Sequence, residues 1–119
     1  MATNTFKLVT NAAMPSSAGT PLALYTVPSS TTAVVIGLLL CNIDTSARTA
    51  SVKITSSTSG GNPNSNEDVF IAKNVSIPAG SSLEIMSGNK IVLQTTDDVL
   101  IDCDVASKID AALSIMELA

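Results

Sequence analysis

The passage "TAVVIGLLLCNID", residues 32–44, is the most apolar in the chain, and it limits the possible folds more than any other feature. From Ala33 to Cys41 no side chain carries a charge or a hydrogen-bonding group stronger than a thiol. A helix needs roughly 20 apolar residues to cross a bilayer core of about 30 Å, so this run is too short to span one. Its β-branched residues Val34, Val35 and Ile36, followed by Gly37, suit a buried strand better than a helix. The lost alternation predicts a central strand buried on both faces, one in the core and one under a second sheet or a neighbouring subunit.

Elsewhere, short apolar or alternating runs are separated by Gly, Pro, Asn and Ser clusters, and no run holds a helical period for long. Strands are predicted near 6–10, 22–27, 33–43, 49–56, 69–72, 75–77, 82–86, 90–95, 98–105 and 109–117. This pattern predicts an all-β fold: a single-domain antiparallel β-sandwich over residues 1–119, jelly-roll or Ig-like, with about eight to ten strands. Alternation also assigns faces, placing Val99, Ile101, Cys103 and Val105 in the core and Asp98, Leu100, Asp102 and Asp104 outside. The runs 82–85 and 90–93 flank "SGN", where Gly88 can take positive φ, and read as a hairpin. The thirteen residues of "SSTSGGNPNSNED", 56–68, have no apolar side chain and predict an exposed polar loop. Residues 11–21, "NAAMPSSAGTP", read as a second connection.

Composition narrows the function. With 45% hydrophobic and 13% charged residues, a domain of 119 residues has more apolar surface than it can hide, which predicts self-association. Leu100, Met116 and Leu118 lie opposite the inferred core set and are the candidate subunit contacts, and segment 109–119 is expected to pair with or cover an adjoining subunit's edge strand. A net charge of −4, with six scattered basic residues, argues against nucleic-acid binding. No membrane partner is expected either.

Histidine is absent, which removes the commonest general base and zinc ligand. Cys41 and Cys103 read as free buried thiols rather than a disulfide or a nucleophile. Six of the ten acids follow position 96, and Asp102 and Asp104 share a strand face, but no calcium-loop spacing is present. A solvated acidic surface is the expected reading. An acid pair such as Asp102 with Glu84 is the weaker, hydrolytic alternative. The expectation is therefore a non-enzymatic protein with no catalytic residues, no metal and no cofactor. The first residues lack the basic start and apolar core of a signal peptide, so an unprocessed cytosolic product is expected.

Two stretches carry a resemblance. "LYTVPSSTTAVVIGLLLCNIDTSARTASVKI", 24–54, holds a strand ending Val-Pro, a Thr-rich turn, a long apolar strand ending Cys-Asn and a polar strand. "VSIPAGSSLEIMSGNKIVLQTTDDVLIDCDV", 75–105, holds a Pro-Ala-Gly turn, a strand with Glu84, a Gly-Asn-Lys turn and a strand leading to paired acids. In order and spacing, this resembles small structural proteins of tailed bacteriophages, including those infecting cyanobacteria. The resemblance implies a β-sandwich virion component, often trimeric, without enzymatic activity. It implies partners among the other virion proteins, such as the major capsid or tail protein. Head decoration or cement, tail or neck component, and fibre-associated module with a host-surface glycan as ligand all stay open. The scarcity of aromatic residues weighs against the glycan-binding reading, because sugar rings usually stack on an aromatic platform.

Overall fold

The computed structural model describes residues 3–59, 65–86 and 89–119. Its nine strands are β1 (Asn4–Met14), β2 (Leu22–Thr26), β3 (Thr32–Asn42), β4 (Arg48–Thr55), β5 (Val69–Ile77), β6 (Ser82–Glu84), β7 (Ile91–Leu93), β8 (Asp98–Cys103) and β9 (Ile109–Leu118). One sheet runs β1-β9-β3-β6, with β7 also on β3; the other runs β2-β8-β4-β5. All the pairings are antiparallel.

The wiring follows from one rolled ribbon. β6 lies against Leu39–Cys41 and β7 against Ala33–Val35, in line along the edge of β3 that β9 leaves free. Taken as one interrupted strand, they make the chain a long hairpin whose legs pair β1 with β9, β2 with β8, β3 with β6/β7, and β4 with β5. Rolling that ribbon sets β9 against β3 and β8 against β4, which closes two four-strand layers over one apolar interior. This is a jelly-roll wrapping, and it decides against the Ig-like alternative.

The expected hairpin between 82–85 and 90–93 does not form, because both segments run the same way along β3 and neither pairs with the other. Its turn residues Ser87 and Gly88 lie outside the described residues. β3, at eleven residues, offers an edge about 36 Å long at the usual strand rise, enough for both segments end to end. Glu84 bridges the break: its Oε1 accepts from the amides of Leu38 (3.3 Å) and Met86 (3.1 Å).

Three other boundaries moved. β1 runs through Met14, so part of the expected connection at 11–21 is strand. The runs 69–72 and 75–77 are one strand, β5, whose register slips against β4 and whose Asn74 has a φ of 50°. The apolar run itself changes face. The β3–β9 register slips between Val35 and Gly37, and this bulge turns Ala33 and Val35 before it, and Leu38, Leu40 and Asn42 after it, toward the core. The outer face of β3 has no third layer over it, so Ile36 (39% exposed) and Leu39 (41%) are uncovered and the strand is not buried on both sides within this chain. Cys41 falls on that outer face and is half-exposed rather than buried; Cys103 is buried, and both thiols are free.

Met14, Leu38, Leu40, Ile101, Ile109 and Leu113 form the centre of the core, each at most 1% exposed. Removal of such a side chain from water contributes about 1.5–3 kcal/mol. The faces of β8 are as expected for Val99, Ile101 and Cys103 inside and for the acids outside, while Val105, beyond the strand, is half-buried.

Candidate functional site

The outer face of the five-stranded sheet is apolar across its width. Register places Phe6, Met116, Val34 and Val92 in one row across four strands. Leu8 follows in the next row with Ser114 and Gly37, then Thr10 with Ala112, Leu39 and Glu84. Phe6 is 73% exposed, Leu8 69% and Val92 62%. An antiparallel sheet with one face on the core usually turns polar residues to solvent on the other, so a contiguous apolar surface here is the candidate site.

An ionic cluster fixes which side of β1 faces out. Lys7 alternates with Phe6 and Leu8, and its Nζ lies 3.0 Å from Glu117 Oε1 on β9. The Tyr25 hydroxyl, on β2 in the other sheet, donates to Glu117 Oε2 at 2.5 Å. Holding Lys7 toward the interlayer side leaves Phe6 and Leu8 no direction but outward. The Tyr25 hydroxyl and then Lys7 hold the Glu117 carboxyl below its usual range, and burial followed by Glu117 pushes the Tyr25 phenol well above its own.

The opposite outer face is charged. Lys53 and Lys73 set their ammonium groups 5.4 Å and 5.0 Å from the centroid of the Phe70 ring. Thr26 and Thr55 hydroxyls donate to Asp98. Arg48 binds Asp44 at 2.7 Å and approaches Asp104 at 3.8 Å. The two faces therefore differ in kind, one apolar and one ionic.

Of the three candidate contacts, Met116 and Leu118 lie on the apolar face, half-exposed on β9. Leu100 lies on β8 in the other sheet, opposite Ala23 and Lys53, so the structure does not bring it to them. β9 is paired along both edges, to β1 and to β3, and has none free for an adjoining subunit; its strict alternation suits an interior strand. The free edge belongs to β1 instead. β1 carries one charge, Lys7, and no proline over eleven residues, and eight of them are exposed. The other edges are guarded: β6/β7 is interrupted, β2 has five residues and a register slip, and β5 is kinked at Asn74. Phe6 and Leu8 were not among the candidates, because alternation alone does not say which parity meets the core. Their signal was the concentration of one of only two phenylalanines and a leucine on one side of a terminal strand.

Glu84 and Asp102 lie on opposite outer faces, so the acid pair does not assemble. Among the described residues no group of three or more His, Cys, Asp or Glu is placed to hold a metal ion. Two buried polar residues act as anchors. Asp97, 3% exposed, accepts from Ser56 Oγ (2.7 Å), Thr58 Oγ1 (3.2 Å) and the Gln94 amide (2.9 Å), tying the start of the polar loop to the sandwich. Ser57, Ser59, Ser65, Glu67 and Asp68 are exposed, and residues 60–64 of the expected loop lie outside the described residues. Asn42, fully buried, donates from Nδ2 to the carbonyls of Ile77 and Ser46, both at 2.9 Å, and accepts from the Asp44 amide.

Strand order and surface together define a jelly-roll β-sandwich with one uncovered apolar sheet face. No protein-family model matches the chain, and no curated protein does. Among solved structures, it is similar to a chain of the IBDV T13 viral particle, with a TM-score of 0.58 and 13% identity over 97% of this chain and 31% of that one. A chain of T=1 particles derived from infectious bursal virus gives a TM-score of 0.50 and 12% identity over 99% of this chain and 31% of that one. A chain from Bacillus endospore appendages gives a TM-score of 0.46 and 18% identity over 98% and 86%. This chain thus spans about a third of each viral-particle chain, and at these identities the likeness is one of fold.

Proposed function

We propose that this chain is a one-domain, non-enzymatic structural component of a tailed-phage virion, a decoration or cement protein that stabilises the capsid as a homotrimer docked on other virion proteins. The uncovered apolar face of the five-stranded sheet carries this reading, because a contiguous apolar patch of this size is often a protein contact surface. The jelly-roll likeness to viral-particle chains supports it at the level of fold. Met116 and Leu118 belong to the proposed contact surface, and Leu100 lies apart from them on the ionic face of the other sheet. A repeating lattice needs little affinity per copy, since many weak contacts acting together hold firmly. The outward acids Asp98, Asp102 and Asp104 suit an exterior position, away from packaged nucleic acid.

The test is quantitative mass spectrometry with cryo-EM of purified particles. Hundreds of copies on the head surface are expected. A few copies at the neck, tail or fibre would move the protein there, and absence from particles would overturn the virion reading.

A further inference from the structure

We infer that the apolar face of the five-stranded sheet is covered by a second copy of this chain, with β1 at the centre of the contact. The inference deepens the structural-subunit reading by naming the surface and its occupant. Three observations select a second copy.

The first is charge. Two copies at −4 each repel unless their contact is free of acids. The rows around Phe6, Leu8, Met116 and Val92 contain none, while Asp98, Asp102 and Asp104 point from the other sheet. The acids at the margin are already engaged: Glu84 accepts from the amides of Leu38 and Met86, and Asp110 accepts from the amide of Ala13 at 2.8 Å. A basic partner would find no field here to recognise. The apolar rows of a second copy bring no acid against the rows around Phe6, Leu8 and Val92.

The second is area. At their exposures, Phe6, Leu8, Ile36, Leu39 and Val92 offer on the order of 500 Å² of side-chain surface per copy. With an equal area contributed by the partner copy, the contact reaches about 1,000 Å², the lower bound for a specific interface, before Met116, Leu118 and the backbone are counted. The third is the unguarded edge of β1. Exposed long strands invite uncontrolled sheet addition, and a contact centred on β1 shields that edge by the same burial.

The test is size-exclusion chromatography with light scattering on the intact chain across the micromolar range. Wild type is expected at a multiple of 12.1 kDa. Phe6→Asp/Leu8→Asp is expected at the single-chain mass with its dissociation constant raised more than a hundredfold. Phe70→Asp, an exposed aromatic on the ionic face, is expected to keep the wild-type mass. Should the double variant fail to fold, Val92→Asp at the far end of the same row is the substitute, and the circular dichroism melt identifies the folded variant. A monomeric wild type, a double variant that stays assembled, or dissociation by Phe70→Asp alone would overturn the inference. The two readings fail separately. A monomeric protein still abundant on particles sinks the self-contact and leaves the virion role, whereas an oligomer missing from particles does the reverse.

Discussion

Replacing Asn42 by alanine removes a side chain that joins the end of β3 to the segments entering β4 and leaving β5. Its amide donates to the carbonyls of Ile77 and Ser46, and its Oδ1 accepts from the Asp44 amide. The Ile77 carbonyl is left without this donor in a dry site, which costs about 1–3 kcal/mol, and the two contacts nearer solvent add about 0.5–1 kcal/mol each. The expected loss is about 3 kcal/mol, or about 12 °C in Tm at roughly 4 °C per kcal/mol for a domain of this size. Thermal and urea unfolding followed by circular dichroism measure it. Asn42→Asp sharpens the test. It keeps the acceptor but turns a carboxylate on two carbonyls, so it should be worse than alanine at neutral pH and recover as acid restores a donating hydroxyl. A Tm loss below about 4 °C for alanine, or an aspartate variant with no acid recovery relative to wild type, would refute the reasoning.

The Tyr25–Glu117–Lys7 cluster sets two pH limits. Glu117 has a lowered pKa when folded, so its contribution is present above the ordinary glutamate range and is lost as pH falls through the depressed value. Tyr25 has a raised pKa, so its contribution holds below about pH 10 and declines above it. Urea midpoints across acid and alkaline pH should show both limbs in wild type and a flattened alkaline limb in Tyr25→Phe; identical profiles would refute the linkage. Asp97→Ala removes the acceptor for Ser56, Thr58 and Gln94 and should cost about 2–3 kcal/mol. Deleting residues 60–64 should change stability by less than about 1 kcal/mol, and a deletion as damaging as Asp97→Ala would show that the segment is structural. Val35→Asp places a charge at a site 3% exposed and should unfold the protein, whereas Val92→Asp, at 62% exposed, should keep the monomer's stability within about 0.5 kcal/mol. Equal effects in a thermal melt would contradict the assigned faces.

The three candidate contacts show how far a linear pattern reaches. Met116 and Leu118 fall on the outer face of their sheet because β9 alternates without interruption, which sets every second residue from Asp110 to Leu118 outward. Leu100 satisfied the same rule on β8, yet it points from the other sheet. Parity places a residue on the outside of its strand but not on a particular outer face, because sheet membership depends on pairing between segments far apart in sequence.

Alternation of period two, turn residues and the length of the apolar run determined that this chain is an antiparallel sandwich, where most strands lie, and which side of β8 is inside. These are local consequences of the pleat. The tertiary structure alone decided that 82–84 and 91–93 lie in line along β3, since the long edge of β3 that β9 leaves free offers both segments backbone partners. It decided that a bulge at Ile36 puts Leu39 and Cys41 on an uncovered outer face, where the unbroken apolar run had predicted burial on both sides. It also decided that Phe6 and Leu8 face solvent, because the salt bridge that turns Lys7 inward joins residues 110 positions apart. No local pattern encodes such a contact: it exists only once the ribbon has rolled and brought the first strand against the last.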